Sequence, residues 1–167
     1  DFRAGTVEVA VNRDQSEAVP GPMFYTWASE GVPPASGGLW PTGEWAPGDS
    51  HGRMLIVSNT GSLPFRIAGV SATVSDGRSS DTRDDTTIAE ALHVTITYHP
   101  LDEDILLWSG PLADLTNGTQ PTVNPPTVLP GSMQVLTYDV SMPMEADNSY
   151  QGLRALVGFT VYVEQAP

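Results

Sequence analysis

Three histidines, His51, His93 and His99, are the imidazoles this chain could use as metal ligands or bases. None sits in the HExxH spacing that sets two imidazoles on one helix face to hold zinc. His93 and His99 share a parity on one extended run, so the strand rise separates them by about 20 Å, too far for one metal ion. They are expected to be solvent-facing strand residues. The serines carry no GxSxG elbow, and no Walker or dinucleotide fingerprint occurs. Cysteine is absent, which removes disulfides, thiolate metal sites and thiol nucleophiles together. Lysine is absent as well, all seven basic residues being arginine, so Schiff-base chemistry and lysine–asparagine isopeptide crosslinks are closed to this chain. A non-enzymatic role with no cofactor is the expectation.

Weaker constellations remain. Asp81, Asp84 and Asp85 are candidate calcium ligands, but the stretch lacks the glycine and terminal bidentate Glu of an EF-hand loop, and Arg78 and Arg83 offset its charge. A plain solvated loop is the favoured reading there. Glu145, Asp147 and Asn148 form a second group of the same kind. Trp27, Trp40 and Trp45, near Glu30 and Glu44, suit either a stacking platform for sugars or, as favoured, packing that pins a long loop to the domain. Asn117-Gly118-Thr119 matches an N-glycosylation acceptor, a short pattern that supports an extracellular setting weakly.

Charge narrows the partners. Twenty acidic against seven basic residues give a formal net charge of −13 and a pI near 4.2. Nucleic acid is excluded as an expected partner, because binding it rests on cationic neutralisation of phosphates, and anionic membrane surfaces are disfavoured for the same reason. No apolar run approaches the roughly 20 residues of a membrane span. The sequence opens at Asp1 with neither an initiator Met nor a signal segment, which leaves a cytoplasmic protein or a mature form, and the missing Met favours the processed one.

The elements that must position these residues read as short strands. The 167 residues, 40% hydrophobic, with 15 Pro and 16 Gly scattered among short apolar runs, fit a single all-β domain over 1–167. Val7, Val9 and Val11 alternate with Glu8 and Ala10 as a half-buried strand, with Gly5 as a candidate bulge where the apolar parity changes from Phe2 and Ala4. Residues 19–47 form a long Pro/Gly/Trp loop. Strands follow at Met54 to Val57, Phe65 to Val74, Val94 to Tyr98 and Ile105 to Trp108. Two more close the chain, one carrying Leu136, Tyr138, Val140 and Met142 on one face, the other Val157, Phe159, Val161 and Val163. Pro47-Gly48-Asp49 and Asn59-Thr60-Gly61-Ser62 read as turns, Ser75 to Thr87 as an exposed loop, and Ala89 to Leu92 and Pro111 to Leu115 as short helical turns. Six to eight such strands predict a two-sheet jelly-roll sandwich with long loops and one or two short helical turns.

Read in order, FRAGTVEVAV at the start, WAPGDS at Trp45 to Ser50, IVSNTGSLPFRI at Ile56 to Ile67, LLWSGPLADL at Leu106 to Leu115, LPGSMQVLTYDVSMP at Leu129 to Pro143 and NSYQGLRALVGFTVYVEQA at Asn148 to Ala166 form an ordered set. In that order and spacing the chain resembles the TasA/camelysin family of secreted proteins, which includes biofilm-fibre subunits. The resemblance implies a jelly-roll domain, export with a cleaved signal peptide, and assembly with copies of itself, and with other matrix or cell-surface components, into extracellular fibres. It further implies donor-strand complementation, in which an N-terminal strand of one subunit completes the sheet of its neighbour. By that resemblance residues 1–11 are the candidate donor, with Phe2, Ala4, Val7, Val9 and Val11 entering the groove. Two other readings stay open: a monomeric secreted carbohydrate-binding module using the loop tryptophans, and a camelysin-like metallopeptidase.

Overall fold

A computed structural model of the chain describes residues 5–13, 23–25, 42, 45–75, 85–100, 102–146 and 156–167. The elements are, in chain order, β1 (Val9–Arg13), β2 (Phe24–Tyr25), β3 (Ser50–Asn59), β4 (Phe65–Ser75), α1 (Asp85–Ala91), β5 (His93–Tyr98), β6 (Ile105–Pro111), α2 (Leu112–Thr116), β7 (Gln120–Pro121), β8 (Thr127–Val128), β9 (Met133–Ser141) and β10 (Leu156–Gln165). They form two five-stranded antiparallel sheets, one in the order β1-β3-β9-β5-β6, the other β2-β10-β4-β7 with β8 also on β4. The protein is an all-β sandwich.

Alternation decides which side chains meet between the sheets. Leu136, Tyr138 and Val140 on β9, with Met142 just beyond it, are buried, as are Val94, Ile96 and Tyr98 on β5. From the other sheet come Val70, Ala72 and Val157, with Phe159, Val161 and Val163 half-buried against them. Ring contacts fix the stacking: Tyr138 of β9 lies 4.4 Å from Phe159 of β10, and the Arg53 guanidinium of β3 sits 5.1 Å over Phe24 of β2. Strand β9 therefore stacks on β10 and β3 on β2, which leaves β1 at the rim of the sandwich.

Turn chemistry sets the registers. In Ala46-Pro47-Gly48-Asp49 the proline precedes a glycine at φ 91°, and Asp49 N–H closes on Ala46 O at 2.9 Å. Leu129-Pro130-Gly131-Ser132 repeats the arrangement, with Gly131 at φ 79° and Ser132 N–H on Leu129 O at 2.9 Å. Both are the Pro-Gly form of a type II turn, in which only glycine takes the positive φ without strain. These turns deliver the chain into β3 and β9, which then pair along their length from Ser50↔Ser141 to Ser58↔Met133.

Several expectations give way here. The stretch Ser75 to Thr87 was expected as a loop, yet α1 begins at Asp85, because Ile88, Ala89 and Leu92 share a buried face that draws one more turn into the helix. The Thr116 to Pro130 stretch contains two short edge strands, β7 and β8, and the expected loop over 19–47 contains another, β2, which pairs with β10 and buries Met23 and Phe24. Val7, Val9 and Val11, expected to face a core, are exposed.

Candidate functional site

The first strand is held in a seat made almost wholly of backbone. Thr6 N–H donates to Ser62 Oγ at 2.9 Å, Thr6 O accepts from Ser62 and Leu63 N–H at 3.0 Å each, and Glu8 O accepts from Thr60 N–H at 3.1 Å. Beyond them β1 pairs with β3 from Val9↔Asn59 to Arg13↔Leu55. Gly61 makes this approach possible, since a Cβ there would lie 2.5 Å from Thr6 O and 2.7 Å from Glu8 N. Gly5 lies against the Leu63 side chain before the strand begins, so it is not the bulge expected within the strand.

The turn beneath is anchored by Asn59. Its side-chain amide donates to Leu63 O and Val128 O at 2.9 Å each, its Oδ1 accepts from Gly61 N–H at 3.0 Å, and its backbone joins Ser132 and Gly131. Asn59 is the buried polar residue of the described core. By sequence alone Asn59 reads as an ordinary turn residue. The available signal was an Asn in register with the inward-facing Leu55 and Val57 at the end of an alternating strand.

Register also explains the valines. Cross-strand partners share a face, so Val9 and Val11 stand on the same face as Asn59 and Val57, which point into the sandwich. Val7, Val9 and Val11 nonetheless remain 36%, 41% and 51% exposed. Among the described residues, sheet neighbours of β10 on this side end with Phe24–Tyr25, paired to Val157 and Leu156, so no described strand lies opposite β1. The result is an apolar row aimed over an open rim. Since Glu8 and Thr6 turn their carbonyls toward the end of β3 and the turn after it, alternation points the N–H and C=O groups of Val9 and Val11 outward, as a sheet edge with no partner strand among the described residues. Of the other proposed donor residues, Phe2 and Ala4 lie outside the described residues.

The remaining candidates separate. Asp81, Asp84, Asp147, Asn148, Trp27 and Trp40 lie outside the described residues, and Asp85 is placed only as the first residue of α1. No group of three or more metal-ligating side chains occurs among the described residues. Trp45 is buried and stands edge-on to His51 at 4.9 Å, so its ring packs and offers no platform for a sugar. His51 has its proton affinity lowered, first by burial and then by Arg53, with Asp49 opposing. His99 is exposed and pairs with Asp104 at 2.9 Å, while His93 is half-buried at the start of β5. Asn117 is exposed at the C-cap of α2, and the Thr119 hydroxyl bonds the Tyr162 phenol, which together with Ser71 draws the phenol's ionisation downward.

No described helix is long and apolar enough to cross a membrane. Compared with family models and with curated proteins, the sequence matches neither.

Proposed function

We propose that this chain is a structural, non-enzymatic subunit of an extracellular filament, a biofilm-matrix fibre or surface pilus, that polymerises head to tail by exchanging its N-terminal strand. The jelly-roll assignment within the sandwich class belongs to the same proposal, and both rest on the motif order described above. The observation that carries the functional reading is the state of β1: seated by main-chain bonds, with its valine row unburied.

In strand exchange the β1 of one copy leaves its own β3 and takes the same seat on a neighbour. The main-chain bonds are equivalent in either copy, so the trade costs little, and the difference lies in what the valines touch. Covering the exposed part of three valines at a subunit junction is worth about 3 kcal/mol. Because donor strand and acceptor edge are different surfaces, the contact is head to tail, and it propagates a fibre when the rotation between subunits does not close a ring.

A covalent lock tests this. Val11 faces Val57 in a pair that alternation makes non-hydrogen-bonded, the geometry in which cross-strand side chains are closest. The double variant Val11→Cys/Val57→Cys, oxidised as a monomer, is expected to form no filaments by electron microscopy and to recover them after reduction, with no native cysteine to interfere. Normal filaments from the oxidised protein would show that β1 need not leave its seat, and strand exchange would be wrong.

A further inference from the structure

Whereas the outer face of β10 and β4 is built of Gly158, Thr160, Tyr162, Ser71 and Thr73, the outer face of the β1-β3-β9-β5-β6 sheet carries an apolar centre. Its outward residues on β3 and β9 pair as Ser58↔Met133, Ile56↔Val135, Met54↔Thr137 and Gly52↔Asp139. Met54 and Met133 are 43% and 63% exposed, and Ile56 and Val135 between them are half-buried, so four apolar side chains form a contiguous centre. Thr95 and Thr97 of β5 continue the face beside Asp139 and Thr137. Across β3, β9, β5 and β6 its ionisable groups are one carboxylate, Asp139, and one imidazole, His93, with the exposed Glu8 before β1 and the exposed His99–Asp104 pair at its margins.

The geometry points to a second copy of this chain as the occupant, docked face to face in a closed two-fold pair. Two molecules of charge −13 repel, so they can approach only where carboxylate does not meet carboxylate; both outer sheet faces meet that condition, and the Met54, Ile56, Val135 and Met133 centre selects this one. A two-fold axis lying between the sheets, across the strands and through Ile56 and Val135, is required by the same logic. It sends the two copies of Asp139 to opposite ends, each about 13 Å from the axis by strand rise and about 26 Å from its mate, well beyond the Debye length at physiological salt. An axis along the strands would instead bring both carboxylates to one end. Other occupants fit less well: among the described residues the face has no aromatic ring for sugar stacking and no cationic rim for a lipid surface.

Size sets the strength. Four strands about 4.8 Å apart and some 20 Å long bury on the order of 1,000 Å² in total when two such faces meet, the low end for a specific interface. The dimer is therefore weak and concentration-dependent. It does not rest on the filament reading, because a two-fold pair closes at two subunits whereas strand exchange is open-ended.

The test is sedimentation velocity of the full chain from about 10 μM to about 1 mM at pH 7.5, with crosslinking of single-cysteine variants. The wild type is expected to show a discrete dimer, sedimenting apart from any filaments, and Val135→Glu, which sets two charges at the axis, should raise the dissociation constant at least tenfold while keeping the wild-type circular dichroism. Should that variant fold poorly, the cysteines still decide: Val135→Cys should crosslink to a dimer under mild oxidation, and Thr160→Cys, on the exposed outer side of β10, should not. A wild type monomeric to the highest concentration, equal crosslinking from both variants, or an unchanged constant in folded Val135→Glu would overturn the pairing. Monomeric protein retained on microcrystalline cellulose, with retention lost in Val135→Glu, would overturn it too and give the face to a glycan.

Discussion

At the scale of single residues, the two polar groups buried most deeply behave in opposite ways. Asn59 satisfies both ends of its side-chain amide and ties the β3–β4 turn to β8, whereas Tyr138 is buried against Phe159 with no hydrogen-bond partner for its hydroxyl among the described residues. Burial pushes the Tyr138 phenol's ionisation upward, so it stays neutral at any ordinary pH. A neutral hydroxyl without a partner in an apolar core is a cost with no return, commonly about 1–3 kcal/mol. Tyr138→Phe is therefore expected to raise stability by about 1 kcal/mol, read as a higher midpoint in urea at unchanged slope; a lower midpoint would mean that the hydroxyl has a partner. Alternation along β9 made the inward direction of Tyr138 legible in the sequence. Whether an inward hydroxyl finds a partner depends on the opposite sheet, which no local pattern describes. The same limit hid the role of Asn59, whose acceptors at Leu63 and Val128 lie on two different stretches of chain.

At the scale of elements, the strands with unbroken alternation, β5, β9 and β10, were legible because burial on one face writes a period of two into the side chains. The valines of β1 have the same period, yet they are exposed. Alternation reports which side chains share a face, and it carries no information on whether the second sheet extends far enough to cover that face. The two-residue strands β2, β7 and β8 were illegible for a simpler reason, since two residues have no period. What holds β1 to the sandwich is the glycine gap at Gly61, where any Cβ would press on the backbone of Thr6 and Glu8. Gly61→Ala must push that segment away, breaking the bonds from Thr60, Ser62 and Leu63. We expect a loss of about 1–3 kcal/mol, together with faster hydrogen exchange at residues 6–12 and at the β3 amides that face them. Because a neighbour's strand would meet the same obstacle, the variant should also form few filaments. Unchanged protection at these amides would mean that the seat tolerates the methyl group, and the close approach would lose its significance.

At the scale of the whole molecule, composition was enough to fix an all-β class, since scattered Pro and Gly between short apolar runs leave little room for long helices. It could not show how the two sheets overlap, and the candidate site is a product of that overlap: an edge strand reaching past the strands opposite. Composition does fix the long-range electrostatics that govern association. At −13 each copy repels the next, and the charge vanishes as pH falls toward the pI near 4.2. His51 adds a second effect of known sign. Its folded proton affinity is lowered, so above its ordinary value near 6.5 both folded and unfolded forms are neutral and its contribution to stability is complete; as pH falls below that value the unfolded chain takes up the proton first and the fold weakens. Acid thus reduces repulsion and loosens the closed monomer over the same range, and both changes favour strand exchange. Filaments should therefore be scarce at pH 8 in low salt and abundant near pH 5 at equal protein concentration. Salt separates the two contributions, because added sodium chloride at pH 8 screens the charge while leaving His51 neutral. If repulsion is the main barrier, salt alone restores most of the assembly and His51→Gln assembles like the wild type. If salt at pH 8 does nothing, protonation of the fold is the controlling step, and His51→Gln should then need a lower pH to polymerise. Equal filament yield at pH 8 in low salt and at pH 5 would exclude both.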